Sequence, residues 1–120
     1  LYFNVTHSEG LALFAVTPAG EVGVDLERVR EIPEWEQIAA SCFSPAERER
    51  LRSVAAAERT REFFVRWTRH EAVMKARGTG LGNGPESGDE KEFRVQAVDA
   101  GPGFVAAVAL MTNDRQRIFP

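Results

Sequence analysis

Two carboxylates, Asp25 and Glu27, stand two residues apart in the stretch Val22-Gly23-Val24-Asp25-Leu26-Glu27. The alternation predicts a strand with Val22, Val24 and Leu26 on one face and Gly23, Asp25 and Glu27 on the other. Gly23 then leaves open space beside the acidic pair. Neighbouring like charges repel, so a cation or solvent must balance them. Hard oxygen ligands so placed suit Mg²⁺, which takes a few carboxylates and keeps its other positions for water and phosphate. A solvated polar strand face accounts for the same spacing. Further along, Glu71 and Lys75 fall four residues apart in a long helical pattern. That is also the spacing of a surface salt bridge worth about 0.2–0.5 kcal/mol.

The elements that would position these groups are marked by strong punctuation. Residues 2–6 and 11–16 read as strands around the polar break His7-Ser8-Glu9-Gly10, and Thr17-Pro18-Ala19-Gly20 has turn chemistry. Residues 34–41 suit a short helix carrying Trp35, Ile38 and Ala39. Ser44-Pro45-Ala46-Glu47 is a helix start, with Ser44 as N-cap, Pro45 in the first turn and Glu47 closing a capping box. That helix ends near Ser53. A long helix is predicted over residues 56–77, stopped by Gly78. In it Phe63, Trp67 and Met74 should pack onto the sheet, while Phe64, Thr68, Glu71 and Lys75 form an adjacent stripe. Glu71 and Lys75 therefore belong at the edge of a buried interface. Residues 78–91 read as a glycine-rich acidic loop. Residues 92–99 and 104–111 form a hairpin across Ala100-Gly101-Pro102-Gly103, and residues 113–120 add an edge strand or fray. The fold class is α+β, one domain over residues 1–120, with a small antiparallel sheet and the long helix packed across it.

Composition narrows the class of function. The 120 residues suffice for one core; 43% are hydrophobic and 28% charged, as in ordinary globular proteins. No apolar run nears the roughly 18 residues of a membrane span, and the N-terminus lacks a signal-peptide pattern. The single cysteine, Cys42, is expected buried and reduced, so a cytoplasmic setting fits. The first residue is Leu1, which suggests a longer parent protein. Residues 47–77 hold nine basic side chains against five Glu, a local balance of +4 within a net charge of −3. Nucleic-acid binding would want a broadly positive face. A basic stretch in an acidic chain suits a phosphate-bearing ligand or a small acidic protein, which Arg48, Arg52 or Arg69 could steer. A solvated helical surface explains it equally.

Three blocks together resemble a known family: Phe3-Asn4-Val5-Thr6-His7-Ser8, Gly23-Val24-Asp25-Leu26-Glu27, and Phe63-Phe64 through Trp67-Thr68-Arg69-His70-Glu71-Ala72 with Lys75. They are similar, in order and separation, to the signature blocks of 4′-phosphopantetheinyl transferases. The helix start at Phe43-Ser44 with Glu47, and the strand from Gly103 to Ala109, fit the same pattern. The Thr6-His7-Ser8 block resembles the longer, surfactin-synthetase-activating type, built of two similar halves, of which this chain looks like the second. The resemblance implies transfer of the phosphopantetheine arm of coenzyme A to a serine of an acyl or peptidyl carrier protein. It implies Mg²⁺ on Asp25, Glu27 and Glu71, Glu71 as base either directly or through a metal-bound water, and Lys75 against the phosphates. Thr6 and His7 would hold the 3′-phosphate of coenzyme A. His70 stands where many members carry lysine; a histidine, titrating near about 6.5, would hold phosphate less firmly and steepen the pH dependence. A carrier- or coenzyme A-binding remnant without turnover, and a magnesium-dependent phosphohydrolase, are the competing expectations. The missing half could be supplied by a longer chain or by self-association.

Overall fold

A computed structural model describes residues 1–78 and 93–112. Apart from Gly78, the expected loop over residues 78–91 and the terminal segment 113–120 lie outside the described residues, as does Glu92. The chain runs β1 (Tyr2–Ser8), β2 (Leu11–Thr17), β3 (Val22–Arg28), α1 (Trp35–Cys42), α2 (Pro45–Ser53), α3 (Ala56–Arg77), β4 (Phe93–Val98) and β5 (Phe104–Met111). The class is α+β. No described helix is long and apolar enough to cross a membrane.

The strands form two sheets rather than one. β1 and β2 pair antiparallel with Ser8 opposite Leu11, leaving Glu9 and Gly10 as the turn. Both have positive φ, 49° and 82°, the geometry by which a two-residue turn matches the twist of its strands. The second sheet is antiparallel in the order β3-β5-β4. Its register sets Gly23 opposite Ala109 and Asp25 opposite Ala107, with Val95 and Ala97 beyond them on β4. These residues share one face, and α3 lies across it.

Helix boundaries follow local chemistry. At α2, Ser44 Oγ accepts from the Glu47 N–H at 3.2 Å, and Glu47 Oε1 accepts from the Ser44 N–H at 3.0 Å. This reciprocal capping box satisfies two donors that the first turn would otherwise leave bare. α3 ends on Gly78, whose φ of 71° lets its N–H reach Lys75 O.

Packing divides along α3. Its first half joins α1 and α2 in a core of Ala39, Phe43, Leu51, Phe63, Phe64 and Val105. Its second half packs Ala72, Val73 and Ala76 on Phe93, Ala107 and Ala109. The expected sheet-facing trio of Phe63, Trp67 and Met74 is only partly found. Phe63 is buried, whereas Trp67 and Met74 are half-buried. The buried stripe is instead Phe64, Thr68, Ala72 and Ala76, flanked by Phe63 and Val73. In the second half of α3 small side chains hold the stripe, because there the helix comes too close to the sheet for large ones.

Gly23 shows how close. A Cβ there would lie 2.5 Å from Ala76 N and nearer still to Ala72 O. The space beside Asp25, expected to be open, is thus filled by the α3 backbone. Since backbone cannot move aside as a side chain can, the overpacking cost falls at the high end, about 3 kcal/mol or more. Gly23→Ala should lower the thermal midpoint by many degrees or prevent folding, as read by calorimetry or circular dichroism.

Candidate active site

β3 is an edge strand of its sheet, and the site is built along its free edge. Met111 N–H bonds Glu21 O and Val29 N–H bonds Gly103 O. Antiparallel alternation then turns the odd-numbered residues of β3 toward β5 and the even-numbered ones outward. Val24 is 3% exposed, so its outward N–H and C=O need partners. The N–H goes to Asn4 Oδ1 on β1 at 2.9 Å, and the C=O accepts from Lys75 Nζ on α3 at 3.0 Å.

Lys75 also lies 3.4 Å from Asp25 Oδ1. The other carboxylate oxygen of Asp25 is buried and has no hydrogen-bond partner among the described residues. Burial, and then the charge of Glu27, push the Asp25 carboxyl from 3.8 up to about 7; Lys75 opposes this and Glu71 adds to it. Burial likewise raises the half-buried Glu71, with Lys75 pulling it partly back and Glu27 pushing further. The strand pair and the helix pair of the sequence reading are therefore one electrostatic system. It carries three carboxylates and one nearby lysine.

Glu27 is held from two sides. Trp67 Nε1 donates to its Oε2 at 3.3 Å, and Arg30 Nη1 approaches its Oε1 at 3.4 Å. Among the described residues, no group of three His, Cys, Asp or Glu side chains is gathered closely enough to hold a metal ion in this arrangement. The donor chemistry nonetheless suits a hard divalent cation. All three groups are carboxylates, they repel one another, and one buried oxygen of Asp25 lacks a donor.

The remaining expected residues lie apart from this cluster. Thr6 is buried on the inner face of β1, beside Asn4, whereas His7 points to the exposed face. The strand pleat sends neighbours to opposite sides, so the two do not share a face. His70 turns toward α2: its Nε2 lies 2.9 Å from Glu47 Oε1 and 3.2 Å from Oε2, and its ring stacks on Phe43 at 5.3 Å. Burial alone would raise Glu47, but hydrogen bonds from His70 and the Ser44 N–H outweigh it and hold the carboxyl below its usual range. Cys42 is half-buried and its thiol is pushed up, by burial first and then by Glu71. Arg52 is exposed and shared between Glu36 and Glu49 at 3.9 and 3.8 Å.

Sequence reasoning missed three contacts here. From the sequence, Asn4 carries no role of its own, Trp67 reads as core, and Glu47 as a cap alone. A tryptophan four residues before Glu71 was the only hint, since its indole N–H needs a partner when buried.

The sequence profile of the 4′-phosphopantetheinyl transferase superfamily matches residues 21–117. The chain belongs to that superfamily. It is 42% identical over 81 residues to the 4′-phosphopantetheinyl transferase HetI of Nostoc sp., covering 68% of this chain and 34% of HetI. The 4′-phosphopantetheinyl transferase gsp of Aneurinibacillus migulanus is 35% identical over 81 residues, 68% of this chain and 33% of gsp. The Synechocystis protein slr0495 is 30% identical over 139 aligned residues, 98% of this chain and 56% of that protein. The chain thus spans from about a third to just over half of these relatives' length.

The raised Asp25 carboxyl gives a signed prediction. Its stabilising contribution is present below pH 3.8, where both states are protonated, and is lost as pH rises through about 7. The conflict above that pH amounts to at most roughly 4 kcal/mol. Asp25→Asn should therefore be more stable than the wild type at pH 8, the gap closing toward pH 4.

Proposed function

We propose that this chain is the catalytic portion of a 4′-phosphopantetheinyl transferase, which moves the phosphopantetheine arm of coenzyme A onto a serine of an acyl or peptidyl carrier protein. The observation that carries the reading is the buried Asp25 carboxylate, repelled by Glu27 and Glu71 and reached by Lys75. Carboxylates kept in such a conflict cluster at functional sites. A cytoplasmic setting accords with coenzyme A as co-substrate.

Asp25, Glu27 and Glu71 would hold Mg²⁺. The ion, when bound, supplies charge neutralisation at the pyrophosphate. Glu71 is the base for the carrier serine. Burial raises its carboxyl, which brings the conjugate acid nearer working pH and improves proton transfer. The serine oxygen bonds to the phosphorus that bears the pantetheine arm. The bond from that phosphorus to the leaving adenosine 3′,5′-bisphosphate breaks, and the serine proton passes to Glu71. Lys75, anchored at the Val24 carbonyl beside Asp25, would turn its point charge toward the phosphates. Of the hairpin pair proposed for the 3′-phosphate, His7 would reach it by its side chain from the exposed face, while Thr6, buried on the opposite face, would take part only through its main chain. His70 meets phosphate only by leaving Glu47, so its share in binding is expected to be small.

A second reading is a remnant that binds carrier or coenzyme A without turnover. Incubation with coenzyme A, Mg²⁺ and an apo carrier decides between them by mass spectrometry. A mass gain on the carrier supports transfer, and none supports the remnant. Free phosphopantetheine would instead indicate hydrolysis. With transfer present, Glu71→Gln should lower kcat by about 10²–10⁴-fold. Lys75→Ala should weaken coenzyme A binding without abolishing carrier binding.

A further inference from the structure

The hairpin that bears Thr6 and His7 belongs to a different sheet from the acidic strand. Something must hold the two in register if they are to grip one ligand. β1 runs alongside β3 in the same direction, since Asn4 meets Val24 and, further on, Glu9 meets Arg28 at 3.2 Å. The Glu9–Arg28 pair is exposed on both sides, and such pairs hold little. The Asn4 contact is of another kind. It ends on the main-chain N–H of a residue only 3% exposed, immediately before Asp25.

We propose that Asn4 is a positioning residue that locks the β1–β2 hairpin onto the acidic strand and so sets the coenzyme A subsite against the phosphate-transfer site. Its side-chain oxygen takes the place of a missing strand partner at the free edge of β3. Lys75 Nζ takes the matching place at the Val24 carbonyl. The two peptide groups on either side of Val24 are thereby pinned from opposite elements, one by the hairpin and one by α3. Asn4 shares the inner face of β1 with the buried Thr6 two residues on. Fixing Asn4 therefore fixes the depth of Thr6, and with it the stance of His7. A hydrophobic residue at position 4 could fill the same space, but it would leave the Val24 N–H buried without an acceptor.

The inference rests on the transferase reading for its ligand, and its test separates the two. Asn4→Leu keeps the branched outline of the side chain and loses the acceptor; Asn4→Asp keeps an acceptor oxygen. Amide exchange at Val24 should speed up about tenfold or more in Asn4→Leu, beyond any change at β5 amides, and return toward wild type in Asn4→Asp. Calorimetry should show coenzyme A binding of Asn4→Leu weakened about tenfold, with Mn²⁺ binding in its absence changed less than about twofold. Unchanged Val24 exchange in Asn4→Leu overturns the proposal. So does a loss of Mn²⁺ and coenzyme A affinity in equal measure, which would mark general loosening. A wild-type chain that binds no coenzyme A overturns the transferase reading and the ligand half of this inference, while Val24 exchange still decides whether Asn4 ties hairpin to strand.

Discussion

The contact of Gly23 with the backbone of α3 sets the geometry of everything around it. A strand usually meets a helix through two layers of side chains. Here the strand has none at Gly23, and the helix offers only Ala72 and Ala76. The main chains come together, and Ala107 and Ala109 on β5 keep the rest of the interface equally thin. Two consequences follow from that closeness. Asp25, next on the same face of β3, is driven into the interface and nearly sealed from water. Lys75, one turn beyond Ala72 on α3, reaches past the edge of the strand to the Val24 carbonyl.

Closeness of this kind has an electrostatic cost. Asp25 loses hydration, and Lys75 at 3.4 Å is too weak a partner to hold it in the normal carboxylate range against burial and Glu27. Elsewhere the fold takes the opposite course with acidic groups. Glu47 is as firmly placed as Asp25 but is fully met, by the Ser44 N–H, by His70 and by nearby arginine charge, and its carboxyl is held low. One carboxylate serves structure and is satisfied; the other is left in conflict.

Much of the fold was legible in the chain because its signals are local. Ser44, Pro45 and Glu47 specify a helix start through bonds within one turn, and Gly78 ends α3 through a left-handed φ that few other residues tolerate. Alternation in β3 correctly put Gly23, Asp25 and Glu27 on one face. What that face looked onto was not legible. A glycine beside two carboxylates reads equally as open space or as close contact, since both need a missing side chain. The same ambiguity misplaced Trp67 and Met74. Size suggested core, yet the closest helix–sheet approach selects alanine and threonine.

For the site, the sequence by itself determined the inventory and the local spacing: two carboxylates on one strand face, a glutamate and a lysine one turn apart on a helix. Those follow from the periods of strand and helix, which any short segment carries. The tertiary structure alone decided which groups meet. The strand order β3-β5-β4 leaves β3 with a free edge. Only at that edge do an asparagine twenty residues earlier and a lysine fifty-one residues later end on the same residue. Likewise, Trp67 reaches Glu27 and His70 reaches Glu47 only because α3 crosses β3 and α2 where it does. Such pairings depend on the relative placement of whole elements, which the burial of large apolar surfaces decides, and no spacing within one segment encodes it.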